Sequence, residues 1–196
     1  MRFRLFGVNV EISVPFAVIL AFLLLMDKTG LMSASLFAVF FHESGHIIAM
    51  KVLRCAPKDV KCCSAGILIN GVSYCTIGEN AIIAFSGPLA NILFTIVFYI
   101  LGTIFDSVIL FAFAAVQLIV GVINLLPIKG LDGGSLLYYL LLNFSKVNAA
   151  FVCSFVSIFT AVAVSVAGAA VAVQNTGNPS LLLLGIYLLV INLMKR

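Results

Sequence analysis

Leu31-Met32-Ser33-Ala34-Ser35-Leu36-Phe37-Ala38-Val39-Phe40-Phe41-His42-Glu43-Ser44-Gly45-His46-Ile47-Ile48-Ala49-Met50-Lys51-Val52-Leu53 is an apolar run long enough to cross a bilayer. It nevertheless carries two histidines and a glutamate. Residues four apart on a helix share a face, so His42 and His46 can meet one cation, with Glu43 close enough to reach a water beside it. His-Glu-x-x-His on a helix is the pattern of a zinc hydrolase, two nitrogen ligands and a carboxylate base. The chain has 2 histidines in all, and both are here. An acid within a span is costly and persists only with a partner or a task. The metal-free alternative is a polar trio that packs helices.

Working outward, the 196 residues are 63% hydrophobic and 9% charged, against roughly 25% charged in ordinary soluble domains. That excludes a soluble globular, disordered or coiled-coil chain. A net charge of +4 without a dense basic patch excludes nucleic acid as a partner. Six apolar segments are predicted: Val14–Met26, Leu31–Leu53, Asn80–Leu101, Ile104–Leu126, Val147–Val173 and Pro179–Met194. The fold class is therefore membrane α-helical, about six transmembrane helices, in one integral-membrane domain over residues 1–196.

Two stretches depart from helical periodicity. Arg2–Phe6 and Val8–Ile12 flank Gly7 and partly alternate, as short strands do. Val60–Ile69 and Val72–Ile77 flank Asn70-Gly71, a strong hairpin signal. A small β element is expected there, against protein or at the cytosolic interface, because a sheet edge cannot face lipid. It would offer an edge to an extended substrate.

With the N-terminus in the cytosol, all of the 11 Lys and Arg except Lys28 fall on the inner side. This asymmetry orients both termini, and the inner end of the His42/His46 span, toward the cytosol. The loop bearing Cys55, Cys62, Cys63 and Cys75 would then lie in a reducing compartment, so its thiols are expected to be unpaired. A second zinc site on these cysteines is disfavoured by their spacing. Arg2, Arg4 and the apolar stretch before Ser33-Ala34-Ser35 also fit a cleavable leader, which would leave the later orientations unchanged.

A catalytic zinc ion takes a third protein ligand. Among Glu11, Asp27, Asp59, Glu79, Asp106 and Asp132, the last is best placed. It follows a span that ends on the same side as His46, in Asn124-Leu125-Leu126-Pro127-Ile128-Lys129-Gly130-Leu131-Asp132-Gly133-Gly134, where Pro127 and the glycines break the helix. A solvated turn aspartate is the competing reading of Asp132. Asn91 and Asn124 are lone amides in apolar runs, candidates for contact with substrate or an oxyanion, or for interhelical hydrogen bonds. Ser86, Gly87 and Ala90 read as close-packing residues, as does the Ala161/Ser165/Ala169 stripe.

The His42–His46 motif, together with Asn124-Leu125-Leu126-Pro127 and Leu131-Asp132-Gly133, resembles the site-2 protease family of intramembrane zinc metalloproteases. Ser86-Gly87-Pro88-Leu89-Ala90-Asn91 is similar to a further motif of that family. The sporulation-type branch, which processes a sigma-factor precursor, is the nearest resemblance. It implies six spans, one Zn2+ per chain held by His42, His46 and Asp132, Glu43 as catalytic acid/base, and cleavage of membrane-embedded or membrane-tethered proteins. It also implies membrane regulatory proteins as partners and a bacterial plasma membrane as the setting. No cystathionine-synthase-like or PDZ domain is recognisable, so nucleotide sensing and PDZ-based substrate selection are not expected. The alternative function is an intramembrane metal-ion or proton-coupled transporter. Against it, the outer halves of the spans carry almost nothing ionisable.

Overall fold

The computed structural model describes residues 2–5, 8–12, 25, 27, 29–55, 59–63, 66–70, 75–144, 148–174 and 180–194. Its helices are α1 (Leu31–Val52), α2 (Ile77–Phe105), α3 (Val108–Leu125), α4 (Asp132–Phe144), α5 (Ala149–Gln174) and α6 (Ser180–Met194). Among the described residues, α1, α2, α3 and α5 are long and apolar enough to cross a membrane, so four such helices are seen where six were expected. The last expected span is the 15-residue α6, and the first, Val14–Met26, lies outside the described residues apart from Leu25. The 13-residue α4 was not anticipated as a helix.

Four strands, β1 (Arg2–Leu5), β2 (Val8–Ile12), β3 (Asp59–Cys63) and β4 (Gly66–Asn70), form a sheet in that order. The turn of the expected Asn70-Gly71 hairpin and the residues after it, 71–74, lie outside the described residues. Asn70 is the last residue of β4 and pairs with Asp59, while the antiparallel β3–β4 connection falls between Cys63 and Gly66. β2 and β3 pair in parallel, Asn9 with Asp59 through Ile12 with Cys62.

The packing inverts that of a soluble domain. Large apolar side chains point outward, as in the Phe151, Phe155 and Phe159 ridge of α5, each more than 65% exposed. The interior instead holds small residues and amides: Ala34, Ala38, Ala114, Ala161, Asn91, Gln117 and Asn192. Lipid solvates the aliphatic surface, so helices associate through close backbone approach and interhelical hydrogen bonds. Gly45 shows the first. A Cβ there would lie 2.5 Å from the Ser86 carbonyl oxygen and 2.8 Å from the Ala90 Cβ. At α5–α6, Gly185 sits against Ser165, and Ala161 is fully buried, which agrees with the packing stripe expected there.

The starts of α1 and α2 are both capped by side chains. Asp27 accepts from the backbone N–H groups of Thr29, Gly30 and Ser33 at the start of α1. At the start of α2, Thr76 accepts from the Glu79 N–H, and the Glu79 carboxylate accepts from the Thr76 N–H, a reciprocal capping box. Cys55 and Cys75 are joined as a disulfide with their Cα atoms 5.9 Å apart, which corrects the expectation of unpaired thiols for these two of the four loop cysteines. The reason is tertiary: the end of α1 and the start of α2 lie side by side, within the span a disulfide bridges.

Candidate metal centre

The centre is built where α1 and α2 run antiparallel. Ala34, Ala38, His42, His46 and Met50 form one buried stripe of α1, each four residues from the next. On α2 the facing stripe is Ile83, Gly87 and Asn91. The Ala38 carbonyl and His42 meet Asn91, while His46 meets Ile83. Gly87 lies between, and a methyl group there would collide with the Nε2 atoms of both histidines. The glycine therefore makes room for whatever the two rings face. Pro88, fully buried, cannot donate an N–H to the Ala84 carbonyl, so the helix ladder is interrupted beside the His46 contact.

The third side chain arrives from the break after α3. Pro127 follows the helix end, and the chain turns through hydrogen bonds from Ile128 N–H to Leu126 O and from Leu131 N–H to Ile128 O. Gly130 takes φ 103° in that turn, a conformation glycine adopts without strain. Gly133 and Gly134 pack against the carbonyls of Leu125 and Ile128, so the first turn of α4 folds back on the end of α3. Asp132 thereby sits at the N-terminus of α4 with Oδ2 2.7 Å from His42 Nε2 and 3.2 Å from His46 Nε2. The two Nε2 atoms are 3.3 Å apart. One ligand atom from each of His42, His46 and Asp132 lies within 4.8 Å of the others, the one such group among the described residues.

The hydrogen bonds behind the rings define what these atoms are. His46 Nδ1 donates to the Ile83 carbonyl at 2.8 Å, since a carbonyl can only accept. Asn91 is oriented by the Ala38 carbonyl, which accepts from Asn91 Nδ2 at 3.1 Å. Its Oδ1 must then face His42, so His42 Nδ1 is the donor, at 2.6 Å. Both Nε2 atoms of the neutral rings consequently bear lone pairs, and they point with a carboxylate oxygen at one small volume. Such a cluster is balanced by a proton on Nε2 or by a metal ion among the three atoms. Imidazoles that donate their other N–H to fixed acceptors are the arrangement metal ligands take. Two nitrogens and a carboxylate suit zinc, with a further position left open. The donor set fits the ion.

Glu43, half-buried, lines a cavity of about 600 Å³ that also includes His42, His46, Asp132, Asn124 and Tyr139. Asn124 thus faces the same space as the three candidate ligands, while its Nδ2 donates to the Val120 carbonyl of its own helix. Of the two readings of Asn91, the interhelical hydrogen bond is the one observed. Asn91 is fully buried behind His42, and its Oδ1 and Nδ2 are both engaged by protein. Ser86 donates to the Ile83 carbonyl at 2.6 Å, which agrees with a packing role.

Three residues escaped the sequence reading. Gln117 accepts from Asn91 Nδ2 at 2.7 Å. Ser157 accepts from the Lys129 backbone N–H at 2.7 Å and donates to Asn192 Oδ1, which pins the loop before Asp132 onto α5 and α6. Gln117 and Asn192 carry the same signal as Asn91 and Asn124, a solitary amide in an apolar helix.

No protein-family model matches the sequence, and no curated protein matches it. Among solved structures, the site-2 protease from Methanocaldococcus jannaschii aligns with a TM-score of 0.67 at 19% identity, over 99% of this chain and 94% of that one. At that identity the likeness establishes a shared fold.

Proposed function

We propose that this chain, an integral membrane protein with the fold of a site-2 protease, is an intramembrane zinc metalloprotease that hydrolyses peptide bonds of membrane-embedded or membrane-tethered proteins. The observation that carries the reading is the convergence of His42 Nε2, His46 Nε2 and Asp132 Oδ2, with both Nδ1–H groups committed elsewhere. His42, His46 and Asp132 would hold one zinc ion. When bound, such an ion supplies a Lewis acid for peptide hydrolysis. Glu43, in the wall of the same cavity, takes the proton of the attacking water and returns it to the leaving amine. Asn124, which lines the same cavity, would donate to or orient the scissile peptide group.

The distribution of Lys and Arg supports cytosolic termini and a site near the cytosolic face. The paired motifs support a regulatory substrate of the sporulation type, in a bacterial plasma membrane. A helical substrate hides its carbonyls and must be extended before attack. β4 is an outer strand of the sheet and offers an edge for that purpose.

The test uses the full chain co-expressed with candidate membrane-tethered regulators. Wild type should yield a truncated product. Glu43→Gln should yield none while still binding one zinc ion per chain. Turnover retained by Glu43→Gln removes Glu43 from the mechanism. Zinc flux into vesicles that is indifferent to Glu43→Gln favours the transport reading instead.

A further inference from the structure

Gln117 lies at the middle of α3, fully buried, in a helix otherwise composed of apolar residues, glycine and Asn124. A leucine would serve packing there at lower cost, because a buried amide must find partners for both ends. Gln117 finds only one. Its Oε1 accepts from Asn91 Nδ2, whereas its own Nε2 has no hydrogen-bond partner among the described residues. A buried donor left unpaired costs about 1–3 kcal/mol, so this glutamine is not explained by packing. What it supplies is the acceptor.

That acceptor ends a chain of hydrogen bonds leading to the metal centre. Asn91 Nδ2 has two hydrogens, one given to the Ala38 carbonyl and the other to Gln117 Oε1. With both spent, the amide cannot rotate, and Oδ1 is held against His42 Nδ1. Gly121, one turn after Gln117, makes the approach possible: a Cβ there would lie 3.0 Å from the Asn91 Cβ. Three helices thus contribute one residue each, Gln117 from α3, Asn91 from α2 and His42 from α1. We infer that Gln117 is a positioning residue for the metal centre, locking the Asn91 amide that holds the His42 ring with Nε2 facing the ion. The inference rests on the zinc reading above and adds a residue that touches neither ion nor substrate.

Two variants separate this role from packing. Gln117→Met keeps the shape and apolar volume but removes the acceptor oxygen. Gln117→Glu keeps an acceptor oxygen. The full chain is purified in detergent, stripped of metal and titrated with Co2+, whose visible d–d bands report ligand geometry. Loss of an outer partner of a metal-bound histidine typically weakens the ion about 10- to 100-fold. Gln117→Met should therefore raise the Co2+ Kd at least about tenfold and alter the bands, with Gln117→Glu near wild type. A packing role predicts the reverse order, Met tolerated and Glu harmful, and that order overturns the inference. So does a Gln117→Met variant within twofold of wild type with unchanged bands. If Gln117→Met does not fold, Gln117→Leu is read by the same criteria. His42→Ala distinguishes the two levels: Co2+ binding indifferent to His42→Ala overturns the metal centre itself. Binding lost in His42→Ala but intact in Gln117→Met overturns the role of Gln117 alone.

Discussion

The α1–α2–α3 region and the α5–α6 pair are assembled by the same means, small residues for close approach and buried amides for hydrogen bonding, yet they do different work. In the first region the amides end on a ring nitrogen. Gln117 and Asn91 lead to His42, and the Ile83 carbonyl leads to His46. In the second, Asn192 and Ser157 end on a backbone N–H, that of Lys129, three residues before Asp132. Ile128 packs beside them in a cluster with Ala161 and Leu188. The histidines are thus oriented atom by atom on a rigid helix, whereas the aspartate is placed by anchoring the loop that carries it. A hydrogen bond in an apolar interior fixes whichever group it reaches, and the two regions spend theirs on different groups.

Four substitutions break or sharpen this contrast. The largest effect is expected from Asp132→Ala, which removes the one ligand that the loop delivers. Zinc stoichiometry measured by metal analysis should fall well below one per chain, and proteolysis should drop by at least about 10²-fold. Unchanged stoichiometry would mean that the loop anchor serves something else. Gly87→Ala comes next, because the added methyl collides with both Nε2 atoms. Metal affinity should collapse while the α5–α6 pair, followed by hydrogen exchange of its amides, keeps its protection. Loss of protection across both pairs would show that the two regions are one cooperative unit.

Ser157→Ala tests the loop anchor. It takes the acceptor from the Lys129 N–H, a change of about 1–3 kcal/mol in stability. Metal affinity should weaken by less than in Gly87→Ala, since Asp132 keeps its own contacts. A loss as large as that of Gly87→Ala would erase the distinction between atom-level and loop-level placement. The smallest effect is expected from Asp27→Asn at the start of α1. The backbone N–H of Ser33, with further bonds from Thr29, holds the Asp27 carboxyl below its usual range. A carboxyl depressed on folding adds stability that is present above its unfolded value and is lost as pH falls through the folded one. Thermal melting of wild type should therefore decline in the acid range below about pH 4, and Asp27→Asn should flatten that decline slightly. An identical profile in both would remove Asp27 as a cap for the helix that bears the histidines.

Much of the centre was legible in advance because its determinants are local. His42 and His46 are four residues apart, and one helix suffices to bring them together. Pro127 and Gly130 announce a break, and a break beside Asp132 frees a carboxylate to turn back. The rest shares a different cause. Cys55 and Cys75 were expected to be unpaired, Asn91 was left between substrate and an interhelical hydrogen bond, and Gln117 and Ser157 were not singled out. Each depends on which element lies against which, and with what register. Helical period states which residues share a face, but not the face they meet.

The sequence by itself determined a lipid-solvated chain with an imidazole pair and an acid on one helix, because hydropathy and the 3.6-residue period act within a few turns. It also determined where the chain must break before Asp132. Only the tertiary structure decided the closeness of α1 to α2 at Gly45 and Gly87, and the register that sets Ala38 and Gln117 on either side of Asn91. That register selects the His42 nitrogen that carries the proton and the one that offers a lone pair, because a fixed carbonyl orients the amide and the amide orients the ring.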